Sequence, residues 1–207
     1  MYTYVIPCLL GLEKLVSDEC KRLGLQDVKA ENGRVLCRGT LADCARLNIN
    51  LRCGARVLLV LGRFPARSFE ELFQGTRAIP WEEYLPRDAA FPVKGYSISS
   101  QLHAVPACQS IIKKAMVERM KGAYGITWFP EDGASYPLRV FLYKDVVTVA
   151  MDTSGDSLHK RGYRTLTSKA PITETLAAAL LMLTPWKPDR ILVDPFCGSG
   201  TFPIEAA

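Results

Sequence analysis

Near its carboxyl end the chain reads Asp194-Pro195-Phe196-Cys197-Gly198-Ser199-Gly200-Thr201, directly after the apolar run Arg190-Ile191-Leu192-Val193. A short run of apolar side chains predicts a buried parallel strand. Two glycines one residue apart then predict a tight turn, with no side chains to block close approach of a ligand to the backbone. Pro203 suits the first turn of a helix, where its missing N–H is not needed. Strand, turn and helix start in immediate succession commit this segment to an α/β unit, and backbone amides at such a junction can face a ligand. Asp194, at the end of the predicted strand, is placed to accept hydrogen bonds from a cationic ligand group.

The spacing narrows the ligand. A dinucleotide loop carries a third glycine, in the order Gly-x-Gly-x-x-Gly, so that helix and strand pack around a pyrophosphate. Here that position is Pro203, which disfavours NAD. A P-loop requires Gly-Lys-Ser/Thr after four variable residues, and no such lysine is present. A plain strand–helix turn without ligand stays open on these residues alone. No metal site is expected: His103 and His159 are the only histidines and lie far apart, and none of the seven cysteines forms a Cys-x-x-Cys pair. The cysteines read as small reduced core residues.

At 207 residues the chain has room for one or two compact domains. Its 48% apolar and 23% charged content is ordinary for a globular protein. No apolar run approaches the roughly 18–20 residues of a membrane span. The amino terminus lacks the basic and long apolar segments of a secretory signal, so a cytoplasmic location without a membrane partner is the default. The net charge of +5 is compatible with a polyanionic partner without demonstrating one.

Hydrophobic periodicity orders the rest. Residues 2–8 read as a strand. Leu12, Leu15, Val16, Cys20 and Leu23 recur at helical spacing, and Gly24 offers a stop. Residues 28–31 and 34–38 flank Asn32-Gly33, a strong hairpin signal. A second helix over 41–53 and a strand over 56–64 complete β-α-β-β-α-β, the order of a ferredoxin-like split unit. Beyond it, a helix from Phe69 is expected to run toward Trp81, Tyr84 and Leu85, bent near Pro80. Residues 93–100 alternate like a strand. Residues 107–120 form the clearest amphipathic helix, and 138–143 with 146–151 form a hairpin around Lys144-Asp145. A turn-rich boundary at 153–157 precedes a helix over 172–183.

The whole string from Asp194 to Ala207 is more specific than its glycines. It resembles motif I of class I RNA methyltransferases that use S-adenosylmethionine (SAM), particularly the large-subunit rRNA guanine-N2 methyltransferase family. Phe73-Gln74-Gly75-Thr76-Arg77-Ala78-Ile79-Pro80-Trp81 and the stretch from Ser100 to Ser110 resemble that family's THUMP domain, a module of RNA-modification enzymes. Leu158-His159-Lys160-Arg161-Gly162-Tyr163-Arg164, followed by Ala170-Pro171-Ile172-Thr173-Glu174-Thr175, resembles the entry to its catalytic domain. The resemblance covers essentially the whole chain. It implies an α+β chain with a ferredoxin-like region over 1–64 and a THUMP domain over 65–155. The first strand and helix of a Rossmann-like methyltransferase domain would follow over 156–207.

By that resemblance Asp194, Pro195, Phe196, Cys197, Gly198, Ser199, Gly200 and Thr201 would hold the methionine end of SAM. A cofactor without phosphate agrees with a loop that lacks both phosphate-binding devices. Pro171, Thr173 and Glu174 would line the pocket from the neighbouring helix. The family's second motif, an acidic or amide residue followed by two prolines and an aromatic, would hold the target base. It is absent from this sequence, so no catalytic residue is assigned. The chain is expected to be a piece of a longer enzyme, inactive alone.

RNA is the expected partner, rRNA favoured and tRNA possible. Arg77, Lys113, Lys114, Lys160, Arg161 and Arg164 are candidates for phosphate contact, against a solvated helix face for the lysines and a structural clamp for the arginines near 160. Trp81, Tyr84 and Tyr96 are candidates for base stacking, against burial in a core. An RNA-binding module without catalysis and a THUMP-containing tRNA guanine-N2 methyltransferase are the competing readings.

Overall fold

The computed structural model describes residues 1–164 and 171–207. The chain forms two compact units: Met1–Leu58 together with Thr153–Ala207, and Leu59–Asp152.

The first unit opens with strand β1 (Tyr2–Pro7), helix α1 (Glu13–Arg22), strands β2 (Gln26–Glu31) and β3 (Arg34–Gly39), and helix α2 (Leu41–Asn50). Strand β3 pairs antiparallel with both β1 and β2, with Tyr4 opposite Cys37 and Lys29 opposite Leu36. Gly33 turns the β2–β3 hairpin at φ +72°, as Asn-Gly predicts. Helix α1 buries Val16 and Cys20, and Tyr4 and Ile6 of β1 and Val35 and Cys37 of β3 are buried as well. Its first-turn Glu13 accepts the N–H of Gly11 and of Gly33, each at 2.8 Å, and so ties the helix start to the hairpin turn. Helix α2 begins in a reciprocal capping box between Thr40 and Asp43.

The second unit contains strand β4 (Leu58–Pro65), helix α3 (Phe69–Arg77), strand β5 (Val93–Ile98), helix α4 (Val105–Tyr124), and strands β6 (Leu138–Tyr143) and β7 (Val146–Asp152). Its strands lie in the order β4-β7-β6-β5. Strands β5 and β6 are parallel, which the crossover through α4 permits, and β6–β7 is an antiparallel hairpin. Lys144 and Asp145 both adopt positive φ, the backbone of a two-residue hairpin turn whose twist matches the strands. Leu72, Trp81, Phe91, Ile112, Met116, Met120, Leu138 and Val140 form the core.

Helix α3 departs from its expected course. It stops at Arg77, and a single 3-10 turn, Trp81–Glu83, replaces the continuation toward Leu85. Pro80 limits the helical conformation of the residue before it, which breaks the run. Trp81 is fully buried and its Nε1–H donates to the Thr76 carbonyl at 2.8 Å, so it packs the core and is closed to stacking on a base. Tyr84 packs partly against the same core.

The first unit resumes at Thr153, and α5 (Glu174–Leu183) and α6 (Thr201–Ala206) follow. The predicted strand at 190–193 does not form: these residues are unpaired by any strand among the described residues, and Ile191 is 91% exposed. A parallel strand acquires its hydrogen bonds and its burial from neighbours on both sides, which its own sequence cannot supply.

Candidate cofactor-loop site

The loop after residue 193 is set by glycine. Gly198 and Gly200 adopt φ +52° and +75°, and a Cβ on either would meet nothing closer than 3.8 Å. Positive φ, rather than crowding by the protein, is therefore what each glycine satisfies here. Asp194 Oδ1 accepts the Phe196 N–H at 3.1 Å, and the Gly200 N–H donates to the Cys197 carbonyl at 2.7 Å. Among the described residues the amides of Gly198 and Ser199 have no protein partner. Phe196 is 93% exposed, and Pro195, Cys197, Gly198 and Ser199 are exposed beside it.

The segment before α5 joins this loop through Arg164. Its Nε–H donates to Glu174 Oε1 at 2.9 Å, its Nη1–H to Ser199 Oγ at 3.1 Å and its Nη2–H to Thr201 Oγ1 at 3.0 Å. Glu174 and Thr201 are buried, while Pro171 and Thr173 are exposed. The Glu174 carboxylate pushes the Arg164 guanidinium further toward its charged form. A cavity of about 520 Å³ is lined by Pro171, Thr173 and Glu174 on one side and Lys160, Arg161 and Arg164 on the other. Ala170, which opens the stretch that resembles the family's catalytic entry, lies outside the described residues.

A second set of contacts fixes α6. Glu205 Oε1 accepts the Tyr163 hydroxyl at 3.2 Å and pairs with Arg161 Nε at 3.4 Å. Arg52 donates to the Glu205 carbonyl, and Arg161 Nη2 donates to the Arg52 carbonyl at 2.6 Å. Burial, then the Glu205 and Glu174 carboxylates, raise the Tyr163 hydroxyl above its ordinary pKa. Sequence reading missed Arg52, Tyr163 and Glu205. Tyr163 and Glu205 lie 42 residues apart in the sequence, so no local pattern links them.

The basic candidates scatter. Arg161 and Arg164 turn inward, as above. Lys160 is exposed and lies 3.2 Å from Asp156. In the second unit Lys113 pairs with Glu131 at 2.8 Å and sits 5.5 Å from the Phe91 ring centroid. Lys114 lies over Phe73, and Arg77 is exposed in the last turn of α3. Tyr96 remains exposed on β5 with its ring 5.0 Å from that of Phe141. Among the described residues no cluster of three His, Cys, Asp or Glu side chains is placed to hold a metal, and no helix is long and apolar enough to cross a membrane.

A ferredoxin-like region, a four-stranded second unit and a glycine loop opening a helix follow one another along the chain. Three family profiles match in that order, an RlmL ferredoxin-like domain over residues 3–58, a THUMP domain over 66–152 and an RMKL-like methyltransferase domain over 161–207. In the order of these three matches the chain is similar, domain by domain, to methyltransferases that carry a THUMP domain. It is 46% identical over its whole length to YpsC of Bacillus subtilis, described as an RNA methyltransferase, and 34% identical to the ribosomal RNA large subunit methyltransferase K/L of Psychromonas ingrahamii. It spans 54% of the first and 28% of the second.

Two solved structures share the fold over 99% of this chain and 54% of their own. One, from Listeria monocytogenes, is described as an N6-adenine-specific DNA methylase (51% identity, TM-score 0.94). The other, SMU.472, is described as a methyltransferase in complex with SAH (45% identity, TM-score 0.92).

Proposed function

We propose that this chain is the RNA-docking and cofactor-loop portion of an enzyme that transfers a methyl group from SAM to the N2 amino group of a guanine in large-subunit rRNA. The observation that carries the reading is the junction at Arg164, which brings the Ile172–Glu174 segment against the Ser199–Thr201 end of the glycine loop. The residues fit SAM: two left-handed glycines, two amides without a protein partner and the Asp194 carboxylate form a polar loop that has no phosphate-binding lysine. When bound, SAM supplies an electrophilic methyl on a sulfonium centre. The chain's own part is to hold the methionine end on Asp194–Thr201 and to bind RNA through the THUMP unit, in the cytoplasm. The SAH complex of SMU.472 supports the cofactor, and the K/L relative supports rRNA. The base-holding Asp/Asn-Pro-Pro-aromatic motif is not in this sequence, so these 207 residues alone are expected to bind without turnover.

The test is nucleoside mass spectrometry after incubating the full-length protein with SAM and unmodified nucleic acids. N2-methylguanosine in large-subunit rRNA is the expected product. Methylation confined to tRNA would move the enzyme to another substrate class. N6-methyladenine in DNA, the activity named for the Listeria relative, would overturn the reading.

A further inference from the structure

Arg164 stands where the two halves of the proposed site meet, and its fork is filled by protein. One guanidinium engages Glu174, Ser199 and Thr201 at 2.9–3.1 Å, with the Ile172 carbonyl at 3.5 Å from Nη2. The Ser199 and Thr201 hydroxyls lie 3.3 Å from each other. The Arg164 side chain is 17% exposed and that of Glu174 7%, so the pair is largely shielded from competing water. A planar guanidinium holds several acceptors in fixed directions, which an ammonium on a flexible stem does not. The loop's apolar residues Ile191, Val193 and Phe196 are exposed and do not anchor it by burial.

We propose that Arg164 is a positioning residue for the cofactor loop. It fixes the Ser199 and Thr201 side chains, and with them the backbone around Gly200, against the segment that enters α5. Glu174 is the counter-ion that aims the guanidinium, so its carboxylate is spent on Arg164 and is not offered to the ligand. Within His159-Lys160-Arg161-Gly162-Tyr163-Arg164 only Lys160 then remains directed to solvent. The inference rests on the SAM reading for its functional consequence, but its structural half stands without ligand.

The test compares Arg164→Ala, Arg164→Lys and the double variant Ser199→Ala/Thr201→Val with wild type in the full-length protein. Charge-assisted hydrogen bonds of this kind predict that Arg164→Ala weakens SAM binding, by calorimetry and as KM, about tenfold or more. The kcat at saturating SAM should stay within about threefold, because loop geometry is restored by excess ligand. Arg164→Lys should not rescue. Amide hydrogen exchange in residues 196–201 of the ligand-free protein should be faster in Arg164→Ala than in wild type. The double variant keeps the Arg164–Glu174 pair but removes its contacts with the loop, so it should reproduce the faster exchange of the ligand-free protein; that exchange carries the comparison if Arg164→Ala fails to fold. Unchanged loop exchange and SAM affinity would overturn the proposal, as would a loss confined to RNA affinity. If wild type itself binds no SAM, the cofactor reading falls, while the exchange comparison still decides the clamp.

Discussion

The carboxylate of Glu19 on α1 accepts the backbone N–H of Cys53 at 3.1 Å, and its other oxygen accepts that of Arg52 at 2.9 Å. Glu19 is buried, yet its carboxylate serves the backbone of the segment that follows α2, and among the described residues no cationic side chain pairs with it. It replaces a backbone acceptor where the chain leaves the helix. The same segment supplies the Arg52 carbonyl to Arg161, so one buried acid underlies the contacts that hold α6.

Glu19→Ala should therefore destabilise the protein by about 2–3 kcal/mol, since it leaves two inward N–H groups without acceptors. Glu19→Gln keeps one carbonyl acceptor and should cost about half as much. Urea unfolding of the two variants checks the ranking. Equal stability of Glu19→Ala and wild type would contradict the role.

Glu13 gives a pH dependence with a definite sign. The N–H of Gly33, then further backbone N–H bonds, hold its carboxyl below the ordinary 4.5. A depressed folded pKa stabilises the fold above the unfolded pKa, and that stability is lost as pH falls through the folded value. Wild type should thus lose more stability than Glu13→Gln as pH falls through and below the ordinary carboxylate range, with the two curves parallel above it. Thermal unfolding across the range reads the difference.

Thr76 is fully buried in the second unit, and its hydroxyl is the one buried side-chain oxygen or nitrogen found without a partner among the described residues. Thr76→Val keeps the branched shape and removes the unsatisfied group. It should stabilise by roughly 1 kcal/mol, against the usual sign for a core substitution. A raised urea midpoint with unchanged slope is the expected result.

The cysteines should separate by reactivity. Burial pushes the Cys53 thiol up to about 12 and the Cys8 thiol up to about 11. Cys20 rises as well, through its hydrogen bond with Cys37 and its burial. Cys197 is exposed on the glycine loop. A thiol-specific reagent at neutral pH should label Cys197 first, with Cys20, Cys53 and Cys108 following only on unfolding. SAM should slow labelling of Cys197 in the full-length protein if the loop holds the cofactor, and labelling indifferent to SAM would count against that placement.

The element order was legible because each element carries a local signal: Asn32-Gly33 for the first hairpin, Lys144-Asp145 between two apolar runs for the last, and alternation at Val93–Ile98. The failures are non-local. Residues 190–193 read as a buried strand because they are apolar, but strand formation depends on partners. Trp81 resembles a stacking platform in sequence, and only the packed structure shows its N–H bound to Thr76. The cationic cluster near residue 160 leaves phosphate contact and a structural clamp both open in sequence, for the same reason. Its acceptors, Glu174 and Glu205, lie 10 and 44 residues away from Arg164 and Arg161. No periodicity pairs residues at such distances.

The chain leaves the first unit at Leu58 and re-enters it at Thr153, and the two ends are bonded: the Thr153 N–H donates to the Val57 carbonyl at 3.1 Å, and the Val57 N–H donates to Ser154 Oγ at 2.8 Å. During synthesis the bonds of Val57 to Thr153 and Ser154 must wait for residues that follow the whole intervening unit. At about 5–20 residues per second that delay is on the order of 5–20 s. The inserted unit has all of its own strands by then and can fold first on the ribosome. The groups left open in that interval, such as Ala55 and Val57, are where chaperone contact with the nascent first segment should persist longest.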